Sequence, residues 1–119
     1  MTRIAVKEWF ANKVHGEVMC KYNWSLVMEY GCVNSSEDGV FIVSGGANEN
    51  RYCAKKLGVD ISNCTLEDCV TFRGEVTKRT DKAICLECRF RNLRRRTMDV
   101  DERTYKLWLP KSVIIAEAE

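Results

Sequence analysis

The sequence predicts an α+β fold: a small antiparallel sheet joined to a cysteine-rich, zinc-stapled module of treble-clef character that carries a basic helix. Three observations lead there. Residues 18–32 alternate apolar and polar side chains with a period of two, the signature of a strand. Two cysteine pairs, Cys64/Cys69 and Cys85/Cys88, bracket a stretch patterned as a β-hairpin. The second pair runs straight into Arg89-Phe-Arg-Asn-Leu-Arg-Arg-Arg96. A length of 119 residues suits one compact domain, with an N-terminal hairpin region over 1–50 and a zinc-binding basic region over 51–119.

Ile4 and Val6 open the chain with a short alternation, and Trp9, Phe10, Lys13 and Val14 then fall at loose helical spacing over 7–14. From Val18 the period becomes two: Val18, Cys20, Tyr22, Trp24, Leu26, Met28, Tyr30 and Cys32 share one face, with Lys21, Asn23, Ser25 and Glu29 opposite. Such a run exceeds the roughly 3 to 10 residues of a globular strand, so a bend or bulge near Asn23 is expected. Asn34 to Gly39 is a turn cluster, and Val40 to Val43 is a β-rich run that should pair back on the first strand. Ser44 to Asn50 reads as a loop; Gly45-Gly46 lacks the spacing of a phosphate-binding loop and is read as a turn.

Arg51 to Leu57 can form a helical turn ending at Gly58. Val70 to Thr77 and Lys82 to Ile84 are the hairpin strands around residues 78–81. Leu86, Phe90 and Leu93 recur at i, i+4 and i+7 and mark one apolar helix face, with the arginines around the rest of the circumference. Tyr105, Leu107 and Leu109 alternate as a strand stopped by Pro110, and Val113 to Ile115 adds another.

Met1 to Gly16 carries scattered charges in place of the apolar core of a signal peptide, and no apolar run approaches the roughly 18 residues that span a bilayer. The seven cysteines are therefore expected to be reduced thiols. Four thiolates gather mainly around a soft divalent ion, and Cys64, Cys69, Cys85 and Cys88 have spacing that suits tetrahedral zinc. A helix N-terminus at Cys85 and Cys88 would lower their pKa values and favour the thiolates. Cys53 is the substitute if Cys64 or Cys69 is only a small apolar core residue. His15, Cys20 and Cys32 can be drawn as a second site, although Cys20 and Cys32 belong to an otherwise apolar strand face. His15-Gly-Glu17 with the later Cys-x-x-Cys imitates the zinc deaminase signature, but Ile84 stands where proline belongs and the halves lie far apart. No catalytic role is expected.

The formal charge of +2 hides a segregation. Between Arg73 and Lys106 there are eleven Lys or Arg against six Asp or Glu, and the remainder is net negative. Arg89, Arg91, Arg94, Arg95 and Arg96 crowd into eight residues with no acid among them. Guanidinium forks match phosphate geometry and stay charged, so this run points to nucleic acid, bound through charge with little base reading. Tyr105 and Trp108 are candidates for stacking on the bases of single strands.

The Met1-Thr-Arg-Ile opening, a strand before the cysteine-rich half, an apolar pair before Cys85-Leu-Glu-Cys88, and Asp99-Val-Asp-Glu-Arg103 together resemble the small protein encoded by the first reading frame of sobemoviruses, plant RNA viruses. The resemblance implies zinc binding, single-stranded RNA binding without strong sequence preference, suppression of host RNA silencing, support of virus spread, and residence in host cytoplasm and nucleus. It also implies host silencing factors as partners. By position, Cys85 and Cys88 resemble the family's second cysteine pair; upstream, where a Cys-x-x-Cys belongs, this chain has Cys53, Cys64 and Cys69. The alternative is a zinc-stabilised protein-interaction module whose arginines meet an acidic host factor.

Overall fold

Strand β5, Thr65–Arg79, is the spine of the molecule. In chain order the elements are β1 Thr2–Val6, α1 Glu8–Tyr22, β2 Trp24–Leu26, β3 Met28–Ser36, β4 Gly39–Ser44, α2 Ala47–Leu57, β5, β6 Ala83–Asn92, β7 Glu102–Pro110, a 3-10 turn at Lys111–Val113, and β8 Ile114–Ala118. The computed structural model describes residues 1–22, 24–92 and 102–119. Every pairing of its strands is antiparallel. The fold is thus α+β, a curled antiparallel sheet with two helices.

The residue pairing shows how β5 organises the sheet. One edge holds β1, from Thr2↔Gly74 to Val6↔Val70. The other is shared: β3 pairs with residues 65–72 and β6 with residues 74–79. Beyond Gly74↔Cys88 the strands β5 and β6 diverge, and β2 and β3 fill the fork between them. β2 continues the β6 ladder from Leu26↔Phe90 to Trp24↔Asn92, β3 takes up the β5 ladder at Met28↔Phe72, and between them the Val27 N–H donates to the Arg89 carbonyl at 2.9 Å. β7 lies outside β6, β8 outside β1 and β4 outside β3.

Gly74 sits at the crotch of the fork. A Cβ there would overlap the Glu87 carbonyl oxygen and stand 2.8 Å from its carbon and 3.1 Å from the Cys88 Cα, so only glycine lets the two ladders approach this closely.

Alternation along the strands decides what lies inside. Ile4, Val6, Val70, Phe72, Ile84, Leu86, Leu107 and Leu109 form one face, and α1 covers it with Ala11, Val14 and Val18 at helical spacing. At the other end of that face α2 contributes Ala47 to a smaller cluster with Cys32 and Leu66. On the reverse side the sheet curls upon itself, so that Ile42 of β4 and Ile115 of β8 meet over Ala5, Val33 and Cys69. α2 has no cap from its own residue Gly46; Asp68 of β5 accepts the Ala47 N–H at 2.7 Å instead. The helix ends at Gly58 in the left-handed conformation, φ 72°.

The hairpin of β5 and β6, the helix ending at Gly58, the strand stopped at Pro110 and the pairing of residues 40–43 with the preceding strand all follow the sequence pattern. Three expectations are corrected. Residues 18–22 are helix, because Ala11, Val14 and Val18 form one buried helical stripe and Cys20 is exposed. The loop expected at 44–50 gives way to α2 from Ala47, started by Asp68. The basic helix expected from Cys85 is strand β6 through Asn92, clasped by β7 on one edge and by β5 and then β2 on the other. A treble-clef arrangement needs that helix, and residues 85–92 do not supply it. Strands from both sides of residue 50 share one sheet.

Candidate nucleic-acid interface

Because β6 is extended, its side chains divide by parity. Ile84, Leu86 and Cys88 point into the core beneath α1. Cys85, Glu87 and Arg89 therefore belong to the opposite face, and Arg91 occupies the next position of the same register. Across the β6–β7 ladder, Cys85 pairs with Trp108, Glu87 with Lys106 and Arg89 with Thr104. All three β7 residues are exposed, and Trp108 leaves 47% of its surface open. On the β5 side Lys78 pairs with Cys85 and Glu75 with Glu87. Arg89 is exposed, as are Lys78 and Lys106.

The result is an open sheet surface with an indole at one end and cations along two adjacent strands roughly 4.8 Å apart. An aromatic ring offers a sequence-tolerant stacking surface, and guanidinium and ammonium groups beside it can take phosphates. Two other cations form ion pairs elsewhere on the sheet. Arg73 pairs with Glu29 at 3.1 Å, and Arg79 with Glu117 at 2.7 Å. Both pairs are exposed and screened by water, so neither adds much to stability.

Of the five arginines singled out by sequence, Arg89 and Arg91 thus lie in one strand register, and Arg94, Arg95 and Arg96 lie outside the described residues. The two aromatic candidates separate. Tyr105 is half-buried and packs against the core, whereas Trp108 stands on the open face. The signal was available: Tyr105, Leu107 and Leu109 share one parity, so Trp108 must take the other.

The cysteines do not converge. Cys64 is half-buried just ahead of β5; Cys69 is buried with Ala5 and Val33 in the curl of the sheet. Cys85 is buried on the open face of β6, while Cys88 lies in the core and its thiol donates to the Tyr105 carbonyl at 3.4 Å. In a strand a separation of three residues inverts the face, so the two thiols of Cys-x-x-Cys are aimed to opposite sides.

Burial pushes the Cys88 thiol up to about 11 and raises Cys69 as well, which favours neutral thiols over the thiolates a metal requires. Cys53 is exposed on α2, Cys20 is exposed on α1, and Cys32 is buried on β3 with the Asn50 side-chain amide donating to it at 3.4 Å. Among the described residues no three of His, Cys, Asp or Glu gather closely enough to hold a metal ion. As folded, Cys64, Cys69, Cys85 and Cys88 do not fit a single tetrahedral zinc.

No family model matches the chain, and no curated protein or solved structure matches it significantly.

Proposed function

We propose that this chain binds single-stranded RNA, with little sequence preference and no catalysis, on the open face of β6 and β7. Arg89, Arg91 and Lys106 neutralise phosphates, Trp108 stacks on a base, and Arg94, Arg95 and Arg96 add positive charge next in sequence. One observation carries the reading: Arg89 shares a strand face with the exposed Trp108 and Lys106, while the residues between turn inward to the core. Following the sequence resemblance, the role of such binding is suppression of host RNA silencing and support of virus spread, in host cytoplasm and nucleus. Zinc belongs to the resemblance; no step of RNA binding passes through it, because the cysteines as folded do not share a centre.

The test is fluorescence anisotropy with a labelled, unstructured oligouridylate over a series of salt concentrations. Affinity is expected to fall log-linearly with salt, and the double variant Arg89→Ala/Arg91→Ala should shallow the slope by roughly 0.7 for each phosphate that is no longer neutralised. Trp108→Ala should weaken binding by about 1 to 3 kcal/mol with the slope unchanged. Affinity indifferent to all three substitutions removes the proposed face. Absence of binding even at low salt favours the other reading, in which the arginines meet an acidic host protein.

A further inference from the structure

Two acids stand in the middle of the cationic face. Between the Cys85↔Trp108 and Arg89↔Thr104 pairs, β6 places Glu87, with Lys106 beside it on β7 and Glu75 beside it on β5. Both carboxylates belong to the open side, since the alternate residues Val76, Leu86 and Cys88 are packed in or against the core. Glu75 is exposed and Glu87 half-buried. Like charges directly opposite one another on neighbouring strands destabilise a sheet. Among the described residues neither acid forms an ion pair; the acids that do are Glu29, with Arg73, and Glu117, with Arg79.

A surface that only gathered phosphates would gain nothing from carboxylates at its centre, because they repel the backbone it collects. Beside a stacked base the same charges become acceptors for the donors on that base's edge. Trp108 supplies the stacking surface, with 47% of its area open. Its position lies diagonally across the β6–β7 ladder from Glu87, a backbone separation of roughly 7 to 8 Å. A base stacked on the indole extends beyond the ring, and the long glutamate side chain covers the rest of that gap.

The four RNA bases differ in what they offer such a carboxylate. Guanine alone carries two donors side by side on its Watson–Crick edge, N1–H and the 2-amino group. An ionised carboxylate accepts both at once, as it accepts the fork of an arginine. Adenine and cytosine present one amino group next to a ring nitrogen whose lone pair faces the carboxylate. Uracil presents one N–H between two carbonyl oxygens. Single-stranded bases are read along this edge while they stack on aromatic side chains.

We infer that Glu87 selects guanine as the base stacked on Trp108, with Glu75 strengthening the negative field that draws its donors. The inference rests on the RNA reading of this face and gives it one preferred base. Arg89, Arg91 and Lys106 still take phosphates whatever the sequence around that base.

The probe is the labelled oligouridylate carrying one central guanosine. Anisotropy compares it with the all-uridine strand and with strands carrying a single adenosine, cytidine or inosine. Guanosine should bind about tenfold tighter than adenosine, the other purine, in line with hydrogen bonds to a charged acceptor. Inosine keeps N1–H and lacks the 2-amino group, so it should fall between them. Glu87→Gln should erase the preference and tighten binding of the all-uridine strand, because a negative charge leaves the phosphate face; damage to the fold would weaken every strand. Equal affinity for guanosine and adenosine, or a preference that survives Glu87→Gln, overturns the inference while binding of oligouridylate upholds the face. If no strand binds, the face and the inference fall together.

Discussion

Replacing Gly74 by alanine tests the fork that sets the arginine strand in place. The added methyl group meets only backbone: it overlaps the Glu87 carbonyl oxygen and lies 2.8 Å from its carbon and 3.1 Å from the Cys88 Cα. A side chain could rotate away; a paired strand cannot. Forcing a methyl group into a filled space costs about 1 to 3 kcal/mol. Separating the strands at Gly74↔Cys88 also weakens ladder hydrogen bonds worth about 1 kcal/mol each. Alanine recovers only about 0.5 to 1 kcal/mol of the conformational cost of glycine.

The net expectation for Gly74→Ala is a loss on the order of 2 to 4 kcal/mol, or a melting temperature lower by roughly 10 °C for a domain of this size. Gly16→Ala supplies the opposite sign. Gly16 lies within α1 and nothing stands within 4 Å of an added Cβ, so alanine there should stabilise by about 0.5 to 1 kcal/mol. Urea denaturation followed by circular dichroism measures both. If Gly74→Ala melts with the parent protein, β5 and β6 do not approach as described, and the placement of β2 and β3 between them is wrong as well.

Alkali provides a second test. The buried Cys88 thiol is pushed up to about 11, so from the range of an unfolded thiol, near 9, the unfolded chain ionises first. Stability is whole below that range and is lost as pH rises through about 11, by on the order of 2 to 3 kcal/mol. Urea midpoints in reducing buffer should converge with those of Cys88→Ala as pH climbs; parallel curves would show that Cys88 is not buried as a thiol. Chelation is the third. EDTA should leave the far-ultraviolet spectrum and melting temperature unchanged, because Cys85 and Cys88 face opposite sides of β6. Structural zinc can contribute about 10 kcal/mol, so unfolding in EDTA that is reversed by zinc would mean β6 is rebuilt around a metal.

What the sequence conceals has a common physical origin. Leu86 and Phe90 are four apart, a spacing that lands on one face of a helix and equally on one face of a strand, because four is both about one helical turn and an even number. On a helix positions 89 and 91 would lie on different sides of a cylinder; on the strand they are alternate positions of one register. The choice is made by β7 and β2, strands distant in sequence that clasp both edges of β6. Val18, Cys20 and Tyr22 pose the same ambiguity in reverse. Their alternation continues into real strands, yet Val18 completes the helical stripe of Ala11 and Val14. Elements whose punctuation is local were legible: Gly58 closes α2, and Pro110 ends β7. The start of α2 was not, since its capping carboxylate comes from Asp68 on another strand. The candidate face was legible in its charge, and the parity that sets Trp108 apart from Tyr105 was present too, in the alternation of Tyr105, Leu107 and Leu109.

The wedge formed by β2 and β3 also bears on how the chain is made. During synthesis Thr2 must wait for Gly74, and Trp24 for Asn92, before either finds its neighbour. Until β5 emerges, the growing N-terminal half has a single hairpin to build, β3 with β4, and folding of such long-range pairings is slow. A fragment beginning after α2 would lack β1 and β3 and leave stretches of β5 bare on both edges, inviting aggregation. The cationic surface is therefore a late product of translation, presented only after β1 and β3 have found β5 and β7 has closed on β6.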